Sequence, residues 1–287
     1  MTNQVIDVQP VAGALGAEIH GVDLSKTLDN STFNDIYQAW LDHLVIFFRD
    51  QELTVDQHYE FAKRFKKLIP HPYVKSLDGY PEMIEIVKAP DEVRNWGGSW
   101  HADLTFMEEP PAGAVLYGRE LPPVGGDTMF VNTQLAYETL SDGMKGMLDG
   151  LKAVHVESAP RGAPARYSDA YKKMYEKQGE IANENAHPVV RTHPETSKLG
   201  LFINPSFTSH LEDMTVEESQ PVLDVLYDHM RRPEFSCRLR WQPGTVAIWD
   251  NRAVWHNALA DDFGARNDGQ GFRRVLHRAT LAGDKPH

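Results

Sequence analysis

Apolar residues recur at helical spacing in the first third of the chain and then merge into one unbroken run. In STFNDIYQAWLDHL (31–44), Phe33, Ile36, Tyr37 and Trp40 share one face, which predicts an amphipathic helix. The run LVIFFRD (44–50) predicts a strand buried on both faces. A second helix is predicted where Thr54 and Gln57 stand at capping-box spacing, ahead of a common face of His58, Phe61 and Phe65. From about residue 84 the pattern changes to short strands: AGAVLYGREL, DTMFVNT, HPVVRTH, LGLFIN, SCRLRWQ, TVAIWD and FRRVLHRATL. Turn signals such as PPVGGD, HPETSK, QPG and GARNDGQG separate them. Helical stretches interrupt at 133–151 and at 215–231, the latter with Thr215 and Glu218 again at capping-box spacing. The segment 157–186, rich in Arg, Lys, Tyr and Glu, carries no strand pattern and reads as an insertion covering a site. The expected fold class is mainly β with flanking helices (α+β), built as a sandwich, jelly roll or barrel. With no repeat and no linker, residues 1–287 read as a single domain.

Composition narrows the partners. A hydrophobic content of 41% over 287 residues supports a sizeable core. A net charge of −12 excludes a nucleic-acid backbone or an anionic membrane as the main partner, while leaving room for a local basic pocket that takes a small anion. The N-terminal stretch has no basic start followed by an apolar core, and no run spans about 18 apolar residues. A cytoplasmic location is expected. The single cysteine, Cys237 in FSCRLRW, forms no intramolecular disulfide and reads as a buried, inert strand residue.

The chemistry concentrates in three stretches. SWHADLTF (99–106) sets His101 and Asp103 two apart, side by side if the segment is a strand. TVAIWDNRAVWHNAL adds His256 after a turn at Asp250 and Asn251. Two imidazoles and one carboxylate occupy one face of an octahedron and leave three positions open, which suits non-haem Fe(II). The same set also serves catalytic zinc in a hydrolase. FRRVLHRATL alternates, so that Arg274, Leu276 and Arg278 share one face. Two inward guanidiniums need anions, as an oxygenase using 2-oxoglutarate does for its cosubstrate and for an acidic substrate. The competing placement puts both arginines in solvent on an edge strand.

Six blocks in order carry a wider likeness: GAEIHGVDLS, WHADLTFMEEPPAGAVL, ELPPVGGDTMFVN, HPVVRTHP, PEFSCRLRWQPGTVAIWDNRAVWHNA and RRVLHRATLAGDKP. Through these the chain resembles the TauD/TfdA-like group of Fe(II)- and 2-oxoglutarate-dependent dioxygenases over nearly its whole length. The resemblance implies a double-stranded β-helix (jelly-roll) core. It also implies Fe(II) held by His101, Asp103 and His256, with O₂ and 2-oxoglutarate as cosubstrates. Thr128 and Arg274 then hold the C5 carboxylate of 2-oxoglutarate. Arg278 and His71 contact the acidic group of the substrate, and Tyr73 stands at the pocket edge. Phe202 and Phe207 are candidates for the pocket lining, whereas Trp100, Phe106 and Trp255 read as core walls. The implied reaction hydroxylates an aliphatic C–H bond of a small organic anion, a sulfonate such as taurine first, giving an aldehyde and sulfite. A homo-oligomer, dimer or tetramer, is the expected assembly.

Three departures bear on the substrate. NWGGS replaces the polar loop with which the taurine enzyme reads its substrate. Arg161 falls near the position of a pocket phenylalanine, which suits a larger or more anionic substrate. The loop DDFGARNDGQG is longer and glycine-rich. Aryloxyalkanoates, alkyl sulfates and other carboxylates are the alternative substrates. A zinc hydrolase and a non-catalytic jelly-roll binding protein are the alternatives in other classes.

Overall fold

In a computed structural model, the structure describes residues 6–92, 95–157, 184–261 and 271–287. The order of elements is β1 (Asp7–Pro10), β2 (Ala17–His20), α1 (Asn30–His43), β3 (Val45–Phe48), α2 (Val55–Lys63), β4 (Ser76–Leu77), β5 (Tyr80–Lys88), β6 (Gly113–Glu120), β7 (Thr128–Asn132), α3 (Thr133–Glu138) and α4 (Asp142–Leu148). Then follow β8 (Lys152–Val156), β9 (Glu184–Pro188), β10 (Val190–Thr192), β11 (Leu199–Leu201), β12 (Thr208–Leu211), α5 (Val216–Met230), β13 (Ser236–Leu239), β14 (Val246–Asp250), β15 (Val254–Ala258) and β16 (Arg274–Leu281).

Eight strands form one large sheet in the order β1-β2-β3-β14-β6-β16-β5-β4, and β13-β7-β15 form a smaller one. The run of apolar residues in β3 is explained by burial on both sides of the large sheet. Ile46 and Phe48 join a core with Ile36 and Trp40 of α1 and Phe61 of α2. Val45 and Phe47 turn the other way, into a core shared with Phe130 of β7 and Leu239 of β13. The chain is therefore layered: helices, large sheet, inner core, small sheet. Behind the small sheet, Val131 and Trp255 pack against Leu223 and Leu226 of α5.

Local chemistry sets the helix ends. Asp29 caps α1 by accepting from the Thr32 N–H, and both expected capping boxes form, at Thr54/Gln57 and Thr215/Glu218. The helix expected over 133–151 is instead two short ones, because Asn132 and Ser141 each cap a new start. Of the segment 157–186, residues 184–186 belong to β9, which pairs with β8; residues 158–183 lie outside the described residues. So do residues 262–270 of the glycine-rich loop. Cys237 is buried in β13, and burial pushes its thiol up to about 12. Among the described residues no helix is long and apolar enough to cross a membrane.

Candidate metal centre and anion pocket

The backbone sets two histidines opposite each other. His101 forms an isolated antiparallel bridge with His256 of β15. The His101 N–H donates to the His256 carbonyl at 3.1 Å, and the His256 N–H donates back at 2.8 Å. Opposed residues of such a bridge present their side chains to one face, and the two imidazole centroids lie 4.1 Å apart. The condition set for the pair, a strand through 100–106, is not met. The chain turns sharply, with Leu104 in the left-handed region at φ 49°. The turn, not strand alternation, brings Asp103 to the histidines. Its Oδ1 lies 3.8 Å from His101 Nε2 and 3.6 Å from His256 Nε2. One ligand atom from each of the three buried side chains lies within 4.8 Å of the others.

Electrostatics prepare these groups. The His101 Nδ1 is 2.7 Å from the Ser99 carbonyl. A carbonyl only accepts, so Nδ1 carries the proton and Nε2 presents a lone pair toward Asp103. Burial, reinforced by His256, pushes the His101 imidazole down to about 3 and keeps it neutral. Burial works against the Asp103 carboxylate, but Arg278 and then the imidazoles outweigh it and hold the group well below the usual range. Two buried imidazoles and one carboxylate, convergent on one another, fit a divalent first-row metal.

Both inward arginines are buried, because β16 lies between β6 and β5 and is not an edge strand. Arg273 points outward and pairs with Glu120. Arg278 reaches Asp103 with both ends of its fork, Nη1 to Oδ1 at 3.2 Å and Nη2 to Oδ2 at 3.0 Å. Arg274 lies further along the same face, its guanidinium 5.7 Å from the Trp241 ring centroid. The Trp241 indole N–H donates to Thr128 Oγ1 at 2.9 Å. Gly126 approaches closely here: at φ 71°, a Cβ on it would meet Arg274 Cδ at 3.4 Å. Thr128, Trp241 and Arg274 thus form a second polar group in the same inner layer.

A chain of rings joins Arg278 to His101. The Arg278 guanidinium is 5.9 Å from the Trp96 ring, and His71 lies 5.5 Å from Trp96. Tyr73 follows at 6.5 Å from His71, then Phe106 at 6.1 Å from Tyr73, Phe207 at 5.4 Å from Phe106, and His101 at 6.3 Å from Phe207. His71 Nδ1 accepts from the Tyr73 N–H at 3.2 Å, so a neutral ring carries its proton on Nε2. Burial, then Arg278, pushes His71 down to about 3. Phe106, expected as core, is therefore also a wall of this cluster. Phe202 is not: it packs against His155 and His187 at 5.7 and 5.8 Å. Arg161 lies outside the described residues. Sequence reasoning missed Trp96, Trp241 and Asn251. Only Asn251 carried a signal, five residues before His256 in the turn that precedes β15.

The profile of the family described as "Taurine catabolism dioxygenase TauD, TfdA family" matches residues 7–280. The chain is 38% identical to a Pseudomonas putida protein named alpha-ketoglutarate-dependent sulfate ester dioxygenase, over 98% of this chain and 91% of that one. It is 36% identical to an Acinetobacter baylyi protein named alkylsulfatase, over 98% and 86% of the two chains. Among solved structures, a taurine dioxygenase from Burkholderia xenovorans superimposes with a TM-score of 0.82 at 40% identity, covering 98% of this chain and 91% of that one.

Proposed function

Because the chain belongs to the TauD/TfdA family and is thus a non-haem Fe(II)- and 2-oxoglutarate-dependent dioxygenase, we propose that it hydroxylates a small organic anion with an apolar body, an aliphatic sulfate ester first. The carrying observation is the buried convergence of His101, Asp103 and His256 beside the Arg278 fork. The scaffold is read as a double-stranded β-helix over one domain, 1–287.

His101, Asp103 and His256 would hold the iron. Fe(II) bound there, with O₂ and 2-oxoglutarate, would supply the oxidation of an aliphatic C–H bond, with succinate and CO₂ as co-products. Arg274 grips the C5 carboxylate of 2-oxoglutarate through its planar fork. Trp241 only donates, so Thr128 Oγ1 accepts from it and keeps its own hydrogen for that carboxylate. Arg278 and the His71 Nε2–H receive the substrate's anionic group. Tyr73, Trp96, Phe106 and Phe207 enclose its apolar body and exclude water. Hydroxylation of the carbon that bears the sulfate oxygen gives an unstable hemiacetal ester, which releases the aldehyde, sulfate and a proton.

The sequence reading put a sulfonate ahead of a sulfate ester. The order is reversed here on the names of the two relatives above, and the aromatic lining can enclose an alkyl chain. A sulfonate stays as the second reading, supported by the likeness to the taurine dioxygenase of Burkholderia xenovorans.

The test is succinate formation with a panel of alkyl sulfates, alkyl sulfonates, taurine and aryloxyalkanoates. Alkyl sulfates are expected to give the highest kcat/KM, with one sulfate released per succinate. Iron should be required, and His101→Ala should abolish turnover. Preferential turnover of taurine would overturn the substrate assignment. Sulfate release with zinc and without O₂ would overturn the reaction class.

A further inference from the structure

We propose that Asn251 is a positioning residue for the metal-binding carboxylate: its amide, oriented by the Trp249 indole, holds Asp103 Oδ2 and leaves Oδ1 as the oxygen that faces the two imidazoles. The inference rests on the reading of His101, Asp103 and His256 as metal ligands.

The polarity of the contacts fixes the amide. The Trp249 indole can only donate, and it donates to Asn251 Oδ1 at 3.0 Å. The Asp103 backbone N–H points to the same oxygen at 3.4 Å. A flipped amide would set its own N–H groups against both donors. Nδ2 must therefore face Asp103, where it donates to Oδ2 at 2.9 Å. The oxygen left toward His101 and His256 is Oδ1. The Asn251 tether falls on Oδ2 alone, so a carboxylate held by it offers the metal Oδ1 as a single ligand atom, which keeps adjacent coordination positions open for other ligands.

The support is rigid at its base. Asn251 is buried, opens the turn between β14 and β15, and anchors its own N–H on the Ala112 carbonyl at 2.9 Å. One short stretch, the end of β14, the turn and β15, thus carries the orienting indole, the tether and a ligand histidine. Arg278 also reaches both oxygens, Nη1 to Oδ1 and Nη2 to Oδ2, but a substrate anion competes for that guanidinium. The uncharged Asn251 has no such competitor, so Oδ2 retains a donor when Arg278 turns to substrate. Aspartate at 251 would oppose Asp103 with a second negative charge.

The experiment is a Co(II) titration of the metal-free protein by calorimetry, together with the visible absorption of the bound Co(II). Loss of an outer partner of a metal ligand typically weakens binding about 10–100-fold, the loss expected for Asn251→Leu. Its Co(II) spectrum should also change; the metal-free melting temperature, which falls because the Trp249 indole and Asp103 Oδ2 each lose a partner, is read separately. Trp249→Phe keeps the amide but frees it to rotate, and should weaken binding less. Wild-type affinity and spectrum in Asn251→Leu overturn the inference. If that variant does not fold, Trp249→Phe decides: unchanged Co(II) affinity overturns it and weakened affinity supports it. A wild-type protein that binds Co(II) no better than His101→Ala would instead overturn the metal-site reading itself.

Discussion

Replacing Arg278 by Met is expected to destabilise the metal-free protein and to be repaired in large part by metal. The guanidinium contacts both oxygens of a carboxylate that is 5% exposed. Met fills much of the same space beside Trp96 but leaves the buried charge with Asn251 alone. Removing one partner of a buried pair costs about 3–5 kcal/mol, because the other charge stays desolvated. For a chain of this size each kcal/mol shifts Tm by roughly 2–4 °C, so a fall of roughly 6–20 °C is expected. The loss should depend on pH. In the wild type, Asp103 sits below its unfolded value, so its contribution is complete above about pH 4 and fades only as acid reaches the folded value. Without Arg278, burial dominates and pushes the carboxyl up, so the variant is weakest at neutral pH and the difference narrows on acidification. Co(II) replaces the missing positive charge and should raise Tm more in the variant than in the wild type. Urea unfolding of metal-free protein at pH 7.5 and pH 5.5, with thermal scans with and without Co(II), measures each part. A loss under about 1 kcal/mol at pH 7.5 would refute the reasoning, since that is the size of an exposed pair.

Two other outcomes are expected. Arg274→Ala should raise KM for 2-oxoglutarate by about 10–150-fold, the equivalent of one charge-assisted contact of about 1.5–3 kcal/mol; initial rates against cosubstrate concentration test this, and an unchanged KM would exclude the residue from that role. Buried His58, His71 and His155 are each pushed down to about 3 by burial, so between pH 6.5 and 3 only the unfolded chain takes up their protons. Stability of metal-free protein is then full above pH 6.5 and falls on acidification by about 1.4 kcal/mol per pH unit per histidine; a melting temperature that stays flat from pH 7 to 5 contradicts this.

What the sequence disclosed was mostly what neighbouring residues decide. The capping boxes at Thr54 and Thr215, the apolar face of α1, and the alternation that sends Arg273 outward and Arg274 inward need only local spacing. The edge-strand alternative for the arginines failed for a nonlocal reason: β5 and β6 flank β16 from far back in the chain. The same limit hid the turn at Leu104. Nothing within SWHADLTF indicates that Asp103 is drawn in by Asn251, 148 residues away. Trp96 and Trp241 read as ordinary apolar residues because their partners, Arg278 and Arg274, come from a strand later in the chain that no local spacing links to them. Phe202 and Phe207 are five residues apart and equally aromatic. Only the fold separates them, with Phe207 beside His101 and Phe202 beneath Arg191.

The bridge between His101 and His256 is made by main-chain atoms alone. Any sequence that keeps this main-chain pairing of residue 101 with β15 therefore keeps the two imidazoles opposed. Tyr73, Trp96 and Phe207 lie outside the named strands and helices, so they are exchangeable without disturbing that register. On the proposed function, a scaffold of this kind separates the residues that would choose the substrate from the main-chain pairing that would fix the metal ligands.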